Sequence, residues 1–324
     1  MKAVLCKSFG APDQLSVEDL ASPPVNGGEV KIRVRACGVN FPDALMIQGL
    51  YQLKPPFPFS PGLEVAGEII EVGQDVDADR VGQRVMAIMM FGGFAEEVVV
   101  PQGSALPIPK TMSYETAAGL PLAFGTAHVA LSHRARLQAG ETLLVLGAAG
   151  GVGLAAVEIG KLMKARVIAA ASSAEKLALA RSRGADDAIN YSDENLREHI
   201  KSLTEDRGAD VIFDPVGGDI FDQAVRRIAW EGRYLVIGFA SGRIPTLPAN
   251  IALLKNASVV GLFWGAYLSQ NPDVIKRSFG QLLAWYSEDR LRPHIHRRYA
   301  LEDAPNALDD LINRRAMGKL VLTA

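Results

Sequence analysis

The strongest chemical signal in the sequence is a glycine-rich stretch near the middle of the chain. It reads GAAGGVG over residues 147–153, between an apolar run and a segment rich in alanine and valine. In the dinucleotide fingerprint G-x-G-x-x-G, Ala148 replaces the first glycine, whereas Gly150 and Gly153 are kept. These two let the backbone approach a pyrophosphate and let a helix pack on the strand. We expect cofactor contacts from Ala148, Gly150, Gly151, Val152 and Gly153.

The next apolar run, residues 166–171, indicates which dinucleotide is bound. An NAD site usually has an acidic residue at the tip of this second strand, to hold the ribose 2′-hydroxyl. Ser172 and Ser173 stand there instead, followed by Lys176, and Glu175 lies further on. Hydroxyls and a lysine suit a 2′-phosphate, so the sequence favours NADPH over NADH. The alternative is that Ser173 is only a helix N-cap and Lys176 only a surface lysine.

Two kinds of segment surround these residues. The first third holds most of the 18 prolines and the short β-like runs 30–35, 65–72, 84–90 and 95–100, which predict a β-rich domain. From residue 142 strands alternate with helices, which predicts βαβ units and a parallel sheet. The predicted strands are 142–146, 166–171, 188–190, 210–214, 233–239 and 258–264, and the predicted helices are 151–164, 174–183, 193–205 and 220–230. Helices near 272–289 and 301–313 and a strand at 318–323 follow.

Composition and charge exclude several functional classes. The 34 basic and 36 acidic residues give a net charge of −2, with no basic run that would bind nucleic acid or an anionic membrane. Cys6 and Cys37 are the only cysteines, too few for a disulfide framework or a four-cysteine zinc site. The sequence shows no signal-peptide pattern and no uninterrupted apolar run of bilayer length. We therefore expect a cytoplasmic protein.

Several motifs together resemble the medium-chain dehydrogenase/reductase superfamily. They are ACGVNFPDALMIQGLY, PFSPGLEVAGEIIEVG, VGQRV, AAGLPLAFGTAHVAL, the glycine loop, GADDAINY and GKLVL, which span essentially the whole chain. The resemblance implies an α/β fold in which a doubly wound Rossmann domain (123–264) is inserted in a discontinuous GroES-like β-rich catalytic domain (1–122 and 265–324). The cleft between these two domains is the expected ligand site.

The zinc-dependent members of this superfamily are not the best match. At the positions of their catalytic zinc ligands this sequence has Asn40, Leu63 and Leu122, and an amide with two leucines cannot form a tetrahedral zinc site. Cys37, His128 and His133 lack plausible co-ligands. The sequence instead resembles the zinc-free quinone oxidoreductase branch, especially in KPPFPFSPGLE, LSHRARLQAGE and AWEGRYLVIGFASG.

The resemblance to that branch implies roles for particular residues. Asn40 and Tyr51 match the residues beside the nicotinamide and are the predicted catalytic residues; a turn amide and a half-buried aromatic are the alternatives. The further cofactor contacts that the resemblance implies are Asn40, Thr126, Ser172, Ser173, Lys176, Tyr191, Gly238, Phe239, Phe263, Trp264, Gly265 and Lys319. For Lys319, a solvated lysine is the alternative.

The expected activity is NADPH-dependent reduction of a quinone without zinc, because an acceptor already activated toward hydride does not need a Lewis acid. One alternative is reduction of the C=C bond of an enone or an enoyl thioester such as acryloyl-CoA. An enoyl-CoA reductase needs a basic lip for the CoA phosphates, for which the candidates are Arg134, Arg136, Arg297 and Arg298. Another is an NADPH-binding protein with little turnover, crystallin-like or RNA-associated. The resemblance implies a homodimer, in which the apolar run 258–264 would pair across a two-fold axis as an edge strand.

Overall fold

The chain folds into two compact units. The computed structural model describes every residue from Met1 to Ala324. Unit 1 comprises Met1–Leu122 together with Pro293–Ala324, and unit 2 comprises Ala123–Arg292. The chain therefore enters unit 2 once, leaves it once and returns to complete unit 1.

Unit 1 is built on a mostly antiparallel seven-stranded sheet. Its strands are β3 (Glu29–Val39), β4 (Glu64–Val72), β5 (Arg84–Ile88), β6 (Glu97–Pro101), β7 (Ala105–Pro107), β14 (Ile295–Ala300) and β15 (Lys319–Thr323). They run in the order β14-β15-β3-β4-β5-β7, with β6 also paired to β3. A separate two-stranded sheet joins β1 (Lys2–Leu5) to β2 (Ser16–Asp19). The returning strand β15 thus pairs directly with β3.

Four helices accompany this sheet: α1 (Phe41–Ile47), α2 (Tyr114–Gly119), α3 (Pro121–His128), which continues into unit 2, and α11 (Ala304–Ile312). The core beneath them is formed by β-branched residues such as Ile32, Ile69 and Val85, all of which are fully buried. Such residues pack well on a pleated sheet surface, which explains the β-rich character of this part of the sequence.

Unit 2 contains a six-stranded sheet in which every pairing is parallel. Its strands are β8 (Thr142–Leu146), β9 (Arg166–Ala171), β10 (Asp187–Asn190), β11 (Ala209–Asp214), β12 (Ile228–Val236) and β13 (Ser258–Gly261). The order is β10-β9-β8-β11-β12-β13, which is a doubly wound topology. Strand β8 is buried along its whole length, as expected of a central parallel strand covered on both faces.

The helices of unit 2 are α4 (Gly151–Leu162), α5 (Ala174–Ser182), α6 (Leu196–Leu203), α7 (Gly218–Ala224), α8 (Ala249–Lys255), α9 (Tyr267–Gln270) and α10 (Pro272–Ser287). A π-helical segment, Val129–Arg134, follows directly after α3. None of the helices in the structure combines the length and the apolar character needed to span a membrane.

The predicted helix over 220–230 is wrong in its last three residues. Helix α7 ends at Ala224 and a 3-10 turn follows at Val225–Arg227, but Ile228 already belongs to β12. A bulge in β12 places Ile228 opposite Ala209 and Arg233 opposite Val211, and Glu231 within it has a φ of 56°. The extra residues of the bulge break the alternation that marks a strand in the sequence, which made this segment resemble a helix.

The second boundary between the units also differs from the prediction, which ended the nucleotide-binding segment at residue 264. Residues 265–292 belong to unit 2. The reason is packing against α3: the ring of Trp285 in α10 stands edge-on to His128, and Phe279 stands edge-on to Trp264. Helix α10 therefore completes the hydrophobic packing of unit 2.

Candidate active site

The glycine loop connects β8 to α4 with a tight bend at Gly147. Gly147 has a φ of 59°, whereas the φ of Ala148 is not positive. The backbone conformation at position 148 is therefore one that alanine adopts without strain. A Cβ atom on Gly153 would lie only 2.2 Å from the carbonyl oxygen of Gly147. Glycine at 153 is therefore required by the packing of α4 on the bend.

Gly150 is glycine for a different reason. A Cβ atom there would lie 3.5 Å from the carbonyl oxygen of Gly147, an ordinary contact, so the fold itself leaves room for a side chain. Gly150 precedes α4, and the first helical hydrogen bond is donated by Leu154 to its carbonyl oxygen. The backbone N–H groups of residues 151–153 consequently have no partner within the helix. This is a cradle suited to an anion that approaches the backbone closely.

The end of β9 brings the predicted ribose-binding residues together. Ser173 is the N-cap of α5, because its Oγ accepts a hydrogen bond from the backbone N–H of Lys176. The Nζ of Lys176 donates to the Oγ of Ser172 at 3.2 Å. Capping does not prevent Ser173 from also donating its hydroxyl proton to a ligand. No acidic residue stands at this strand tip.

The remaining predicted cofactor residues of unit 2 lie at the carboxyl ends of neighbouring strands. The N–H of Tyr191, after β10, donates to the carbonyl oxygen of Ala171 at the end of β9. Gly238 and Phe239 follow β12, and Phe263, Trp264 and Gly265 follow β13. Ligands of open parallel sheets bind outside these strand ends. The set therefore fits a dinucleotide laid along one edge of the sheet.

Thr126 lies near the predicted cofactor residue Trp264. A Cβ atom on Gly125, the neighbour of Thr126 in α3, would lie 2.8 Å from the Trp264 ring, so the indole packs directly against this turn of the helix. Trp264 is buried, and its Nε1–H has no hydrogen-bond partner. An unpaired buried donor is costly, and such groups occur at sites where a ligand or water completes them.

Unit 1 contains a buried charged network centred on Glu64. The ammonium group of Lys319 donates to Glu64 Oε1 at 2.8 Å, to Asn40 Oδ1 at 2.6 Å and to the carbonyl oxygen of Val39 at 3.2 Å. The side chains of Lys319 and Glu64 are 4% and 0% exposed. Lys319 is therefore not a solvated lysine. All three of its protons are committed within unit 1, so in this conformation it has none left for a cofactor phosphate.

Asn40 is part of this network. Its amide Nδ2 donates to Glu64 Oε1 at 2.8 Å and to the carbonyl oxygen of Gly38 at 3.3 Å, while its Oδ1 accepts from Lys319. Both amide protons are therefore engaged. This arrangement gives Asn40 a positioning role within unit 1, and its catalytic role and its contact with the cofactor stay predictions.

Two of the three positions that the resemblance matches to zinc ligands contact the Glu64 carboxylate. Asn40 donates to Glu64 Oε1, and the backbone N–H of Leu122 donates to Glu64 Oε2 at 2.8 Å. The third position, Leu63, immediately precedes Glu64, the first residue of β4. Cys37 is a buried thiol that donates to the carbonyl oxygen of Glu64 at 3.0 Å, and burial raises its pKa. No three His, Cys, Asp or Glu side chains are grouped to hold a metal ion.

Asp43 and Tyr51 complete the site in unit 1. Asp43 is fully buried and accepts hydrogen bonds from the backbone N–H groups of Asn40 and Gly62. Burial raises its pKa to about 7, although these two donors favour the charged form. Tyr51 is half-buried; burial and the negative charge of Asp43 raise its pKa, so its phenol stays protonated. The Tyr51 hydroxyl has no hydrogen-bond partner in the structure and is free to donate to an acceptor.

Sequence reasoning did not predict the pairing at the centre of this network. Glu64 and Lys319 lie 255 residues apart, and no local pattern pairs them. One signal was present: a Cβ atom on Gly38 would lie 2.2 Å from Glu64 Oε1 and 2.4 Å from the carbonyl oxygen of Ala118. The glycine of the CGVN motif is therefore needed for the carboxylate to fit.

Comparisons with known proteins place the chain in a family. Residues 26–110 match the alcohol dehydrogenase GroES-like domain, and residues 151–285 match the zinc-binding dehydrogenase family. The chain is 42% identical over 323 residues to quinone oxidoreductase-like protein 2 of Bos taurus, covering 99% of this chain and 92% of that protein. The chain belongs to the quinone oxidoreductase branch of the medium-chain dehydrogenase/reductase superfamily. This branch is a group of oxidoreductases, and the doubly wound and GroES-like parts of the fold prediction are confirmed.

Solved structures agree with this assignment to the quinone oxidoreductase branch. The quinone oxidoreductase of Thermus thermophilus, also solved in complex with NADPH, is 36% identical with a TM-score of 0.87, covering 100% of both chains. The CurK enoyl reductase is 26% identical with a TM-score of 0.90, covering 99% of this chain and 98% of that one. Asn40, Leu63 and Leu122, which the sequence resemblance matches to zinc-ligand positions, lie outside residues 151–285.

The Lys319–Glu64 pair predicts a large and specific loss of stability. We expect Lys319→Met to lower the free energy of unfolding by about 3–5 kcal/mol, because it leaves a buried carboxylate without its counter-charge. Adding Glu64→Gln should recover part of this loss, since the amide removes the unpaired charge. Denaturant unfolding measures the free energy of unfolding of the single and the double variant.

Lys31→Met is the matched control for this cycle. Lys31 is also buried, but its partner Glu71 is half exposed, with 52% of its side chain accessible. Water can solvate Glu71 when the lysine is lost, so the cost should be about 0–1 kcal/mol. Equal losses for the two lysine variants would contradict the role given to the Glu64 network.

Proposed function

We propose that the protein is a zinc-independent, NADPH-dependent reductase that transfers a hydride to a quinone. The observation that carries this proposal is the set of groups around Glu64: an amide, two leucine positions and a lysine ammonium. An ammonium group 2.8 Å from the buried carboxylate opposes the binding of a divalent cation there. Without Lewis-acid help, an acceptor that is already electron-poor, such as a quinone, is the suitable substrate.

NADPH is the proposed cofactor because its groups match the residues at the edge of the parallel sheet. The N–H groups at the start of α4 would hold the pyrophosphate, and Ser172, Ser173 and Lys176 would hold the 2′-phosphate. When bound, NADPH supplies the hydride. Tyr191, Thr126, Gly238, Phe239 and residues 263–265 would line the rest of the cofactor. The NADPH complex of the Thermus relative supports this choice.

The cofactor assignment predicts a change in preference. Ser173→Asp with Lys176→Glu should lower the ratio of kcat/KM for NADPH to that for NADH about 10- to 100-fold, because a charge-assisted contact is replaced by repulsion. Aspartate is also a good N-cap, so α5 should remain intact. Steady-state kinetics with both cofactors measures the ratio.

Lys201→Glu is the control for this change, because Lys201 is an exposed lysine of α6 in the same unit. It should leave the cofactor ratio within about 2-fold of the wild type, as expected of a surface charge change. An unaltered ratio in the double variant would refute the 2′-phosphate site.

The acceptor is the second half of the proposal, and its hydride-accepting oxygen becomes negatively charged during reduction. Tyr51 has the free, protonated hydroxyl needed to donate a hydrogen bond to that oxygen. The Asn40–Glu64–Lys319 network fixes the β3–α1 turn that leads to Tyr51. Reduction of the C=C bond of an enone or enoyl thioester uses the same groups, and the similarity to the CurK enoyl reductase favours it as the second candidate.

Acceptor specificity distinguishes these candidates. We expect NADPH oxidation with an ortho- or para-quinone to exceed that with a simple enone or a short enoyl-CoA, and to survive treatment with a metal chelator. Absorbance of NADPH measures each rate. Activity with the thioester alone would establish the second candidate instead. Inactivity with every acceptor would favour a cofactor-binding protein with little turnover.

Tyr51→Phe tests the hydrogen bond to the acceptor. We expect kcat to fall about 10- to 100-fold, because one donor to the developing oxyanion is lost, with little change in NADPH affinity. Tyr267→Phe is the control, since Tyr267 is also half-buried and has no hydrogen bond from its hydroxyl. Wild-type kcat in Tyr51→Phe would remove the phenol from the mechanism.

We also propose a homodimer formed through unit 2. Strand β13 ends the parallel sheet and is paired on one side only. Large apolar side chains are exposed on the neighbouring elements: Leu253 at 77%, Leu254 at 69% and Trp230 at 62%. A second copy pairing β13 with β13 around a two-fold axis would cover both features. The cytoplasmic location stays a prediction.

The dimer predicts a wild-type mass twice that of the 34.7 kDa chain. Leu253→Glu with Leu254→Glu should shift it to the monomer, because a dry interface would have to bury two carboxylates. Light scattering after gel filtration measures the masses of the wild-type protein and of the double variant. The control is Leu50→Glu, because Leu50 is an exposed leucine of unit 1. A monomeric wild-type protein would overturn the proposal.

A further inference from the structure

We propose that Asp214 and Tyr234 are positioning residues for the cofactor, and that they hold the loops of the nucleotide site in place from inside unit 2. This role rests on the proposed function, because it takes the strand ends of the parallel sheet as the NADPH site. Asp214 is the last residue of β11, and Tyr234 lies within β12. Together with the backbone N–H groups of Val216 and Gly217 we call them the Asp214 cluster.

The Asp214 and Tyr234 side chains meet on one face of the parallel sheet. Asp214 lies opposite Val236 in the β11–β12 pairing, and Tyr234 precedes Val236 by two residues, so both side chains point to the same face. The Tyr234 hydroxyl donates to Asp214 Oδ2 at 2.8 Å, and Tyr234 and Asp214 are 0% and 2% exposed. No basic side chain forms an ion pair with Asp214, so hydrogen bonds alone compensate its carboxylate.

The other carboxylate oxygen of Asp214 holds the turn that follows β11. Asp214 Oδ1 accepts one hydrogen bond from the backbone N–H of Val216 at 2.7 Å and another from that of Gly217 at 2.9 Å. Gly217 has a φ of 66°, a conformation that favours glycine. Aspartate side chains stabilise turns in this way, by accepting hydrogen bonds from backbone N–H groups that follow them. The turn is thus held by a carboxylate whose second oxygen is fixed by Tyr234.

The loop after β12 is attached to the same turn. The carbonyl oxygen of Asp214 accepts hydrogen bonds from the N–H groups of Ile237 at 2.9 Å and Gly238 at 3.3 Å. A Cβ atom on Gly217 would lie 3.0 Å from the Phe239 ring, so that ring packs directly on the turn. Gly238 and Phe239 are predicted cofactor residues. Their positions therefore depend on the orientation of the turn that Asp214 holds.

The glycine loop after β8 also contacts this turn, because β11 lies between β8 and β12 in the sheet. A Cβ atom on Gly147 would lie 2.9 Å from Cγ2 of Val216, so this valine packs on the bend at Gly147. Val216 is one of the two residues whose N–H groups Asp214 binds. The Asp214 cluster therefore supports two parts of the proposed NADPH site, which are the glycine loop and the loop of Gly238 and Phe239.

Directional bonding explains why a carboxylate is buried at this position. Removing a charge from water without a counter-charge is unfavourable, and an apolar side chain would fill the same space without that cost. Hydrogen bonds, unlike apolar contacts, fix the orientation of the groups that they join. Binding sites need this precision, because groups misplaced by about 1 Å lose much of their effect. Breaking the Asp214 cluster should therefore loosen the cofactor loops specifically, beyond any general loss of stability.

Hydrogen–deuterium exchange on the cofactor-free protein tests the effect on the loops. Tyr234→Phe removes the hydroxyl that fixes Asp214 Oδ2 and keeps the aromatic ring. The amides of residues 216–218 and 237–241 should then exchange about 10-fold faster, which corresponds to the loss of one hydrogen bond to a charged group. Asp214→Ala should speed this exchange further, because it removes all three hydrogen bonds of the carboxylate.

The affinity for the cofactor should change together with the loops. Titration calorimetry should show that NADPH binds Tyr234→Phe about 5- to 10-fold more weakly than the wild type. With saturating NADPH, kcat for a quinone should stay within about 2-fold, because a positioning residue does not touch the reacting groups. Asp214→Asn should recover most of the affinity lost in Asp214→Ala, since its amide oxygen can accept the two backbone bonds and its nitrogen can donate to the Tyr234 hydroxyl.

Thr204→Val is the matched control, because Thr204 carries a buried, hydrogen-bonded hydroxyl at the opposite end of β11 from Asp214. Its Oγ1 donates to the carbonyl oxygen of Ile200 at 2.7 Å and accepts from the N–H of Gly208 at 3.0 Å. The control should lower the midpoint of denaturant unfolding to a similar extent as Tyr234→Phe, because each variant loses a buried hydroxyl. It should leave the exchange of the cofactor loops and the affinity for NADPH unchanged.

Two results would overturn the positioning role. One is exchange of the cofactor loops at the wild-type rate in Tyr234→Phe, and the other is equal weakening of NADPH binding by Tyr234→Phe and Thr204→Val. A wild-type protein that does not bind NADPH would refute the proposed function, and the cofactor role of the Asp214 cluster with it. Because the exchange measurement needs no cofactor, these failures are distinguishable.

Discussion

The buried ion pair between Lys319 and Glu64 is the interaction on which unit 1 depends. It joins β15 to β4 across the sheet, and it draws in Asn40 after β3 and the backbone of Leu122 before unit 2 begins. Two desolvated charges are tolerated only when nearly every proton and lone pair is matched, as here. The same network includes Asn40 and Leu122, two of the three positions that the sequence resemblance matches to zinc ligands of metal-dependent members. One network thus ties strands β3, β4 and β15 of unit 1 together.

Unit 2 has a rigid parallel sheet from which many candidate ligand-binding residues extend. Its parallel strands end at one edge, and each end contributes a short polar or aromatic segment. The bend at Gly147 and the close approach of Gly153 fix the start of α4. Because the strands are buried on both faces, the frame tolerates little movement, whereas the loops beyond it can differ between relatives. This division explains how quinone and enoyl reductases share one fold.

The sequence predicted the parallel sheet well because buried strands and glycine bends leave strong local patterns. Strands 142–146 and 166–171 have the expected bounds. It failed at residues 228–230, where the β12 bulge disrupts the alternation, and at 265–292, whose packing partners lie far away in sequence. It also did not predict the contacts of Lys319 and Asn40 with Glu64, because these contacts are long-range and only the steric demand on Gly38 hinted at them. Local periodicity carries no information about such pairs.

The discontinuity of unit 1 has a consequence for how the protein is made on the ribosome. Unit 2 is one continuous segment, so all its strands have been synthesised by Arg292. Strand β15, with Lys319, is translated later, and until then β3 lacks a neighbour and Glu64 lacks its counter-charge. Domains generally fold as units during synthesis. Unit 2 therefore has all the strands of its sheet before unit 1 does, although unit 1 contains the start of the chain. The sheet of unit 1 is completed last, when β15 has been translated.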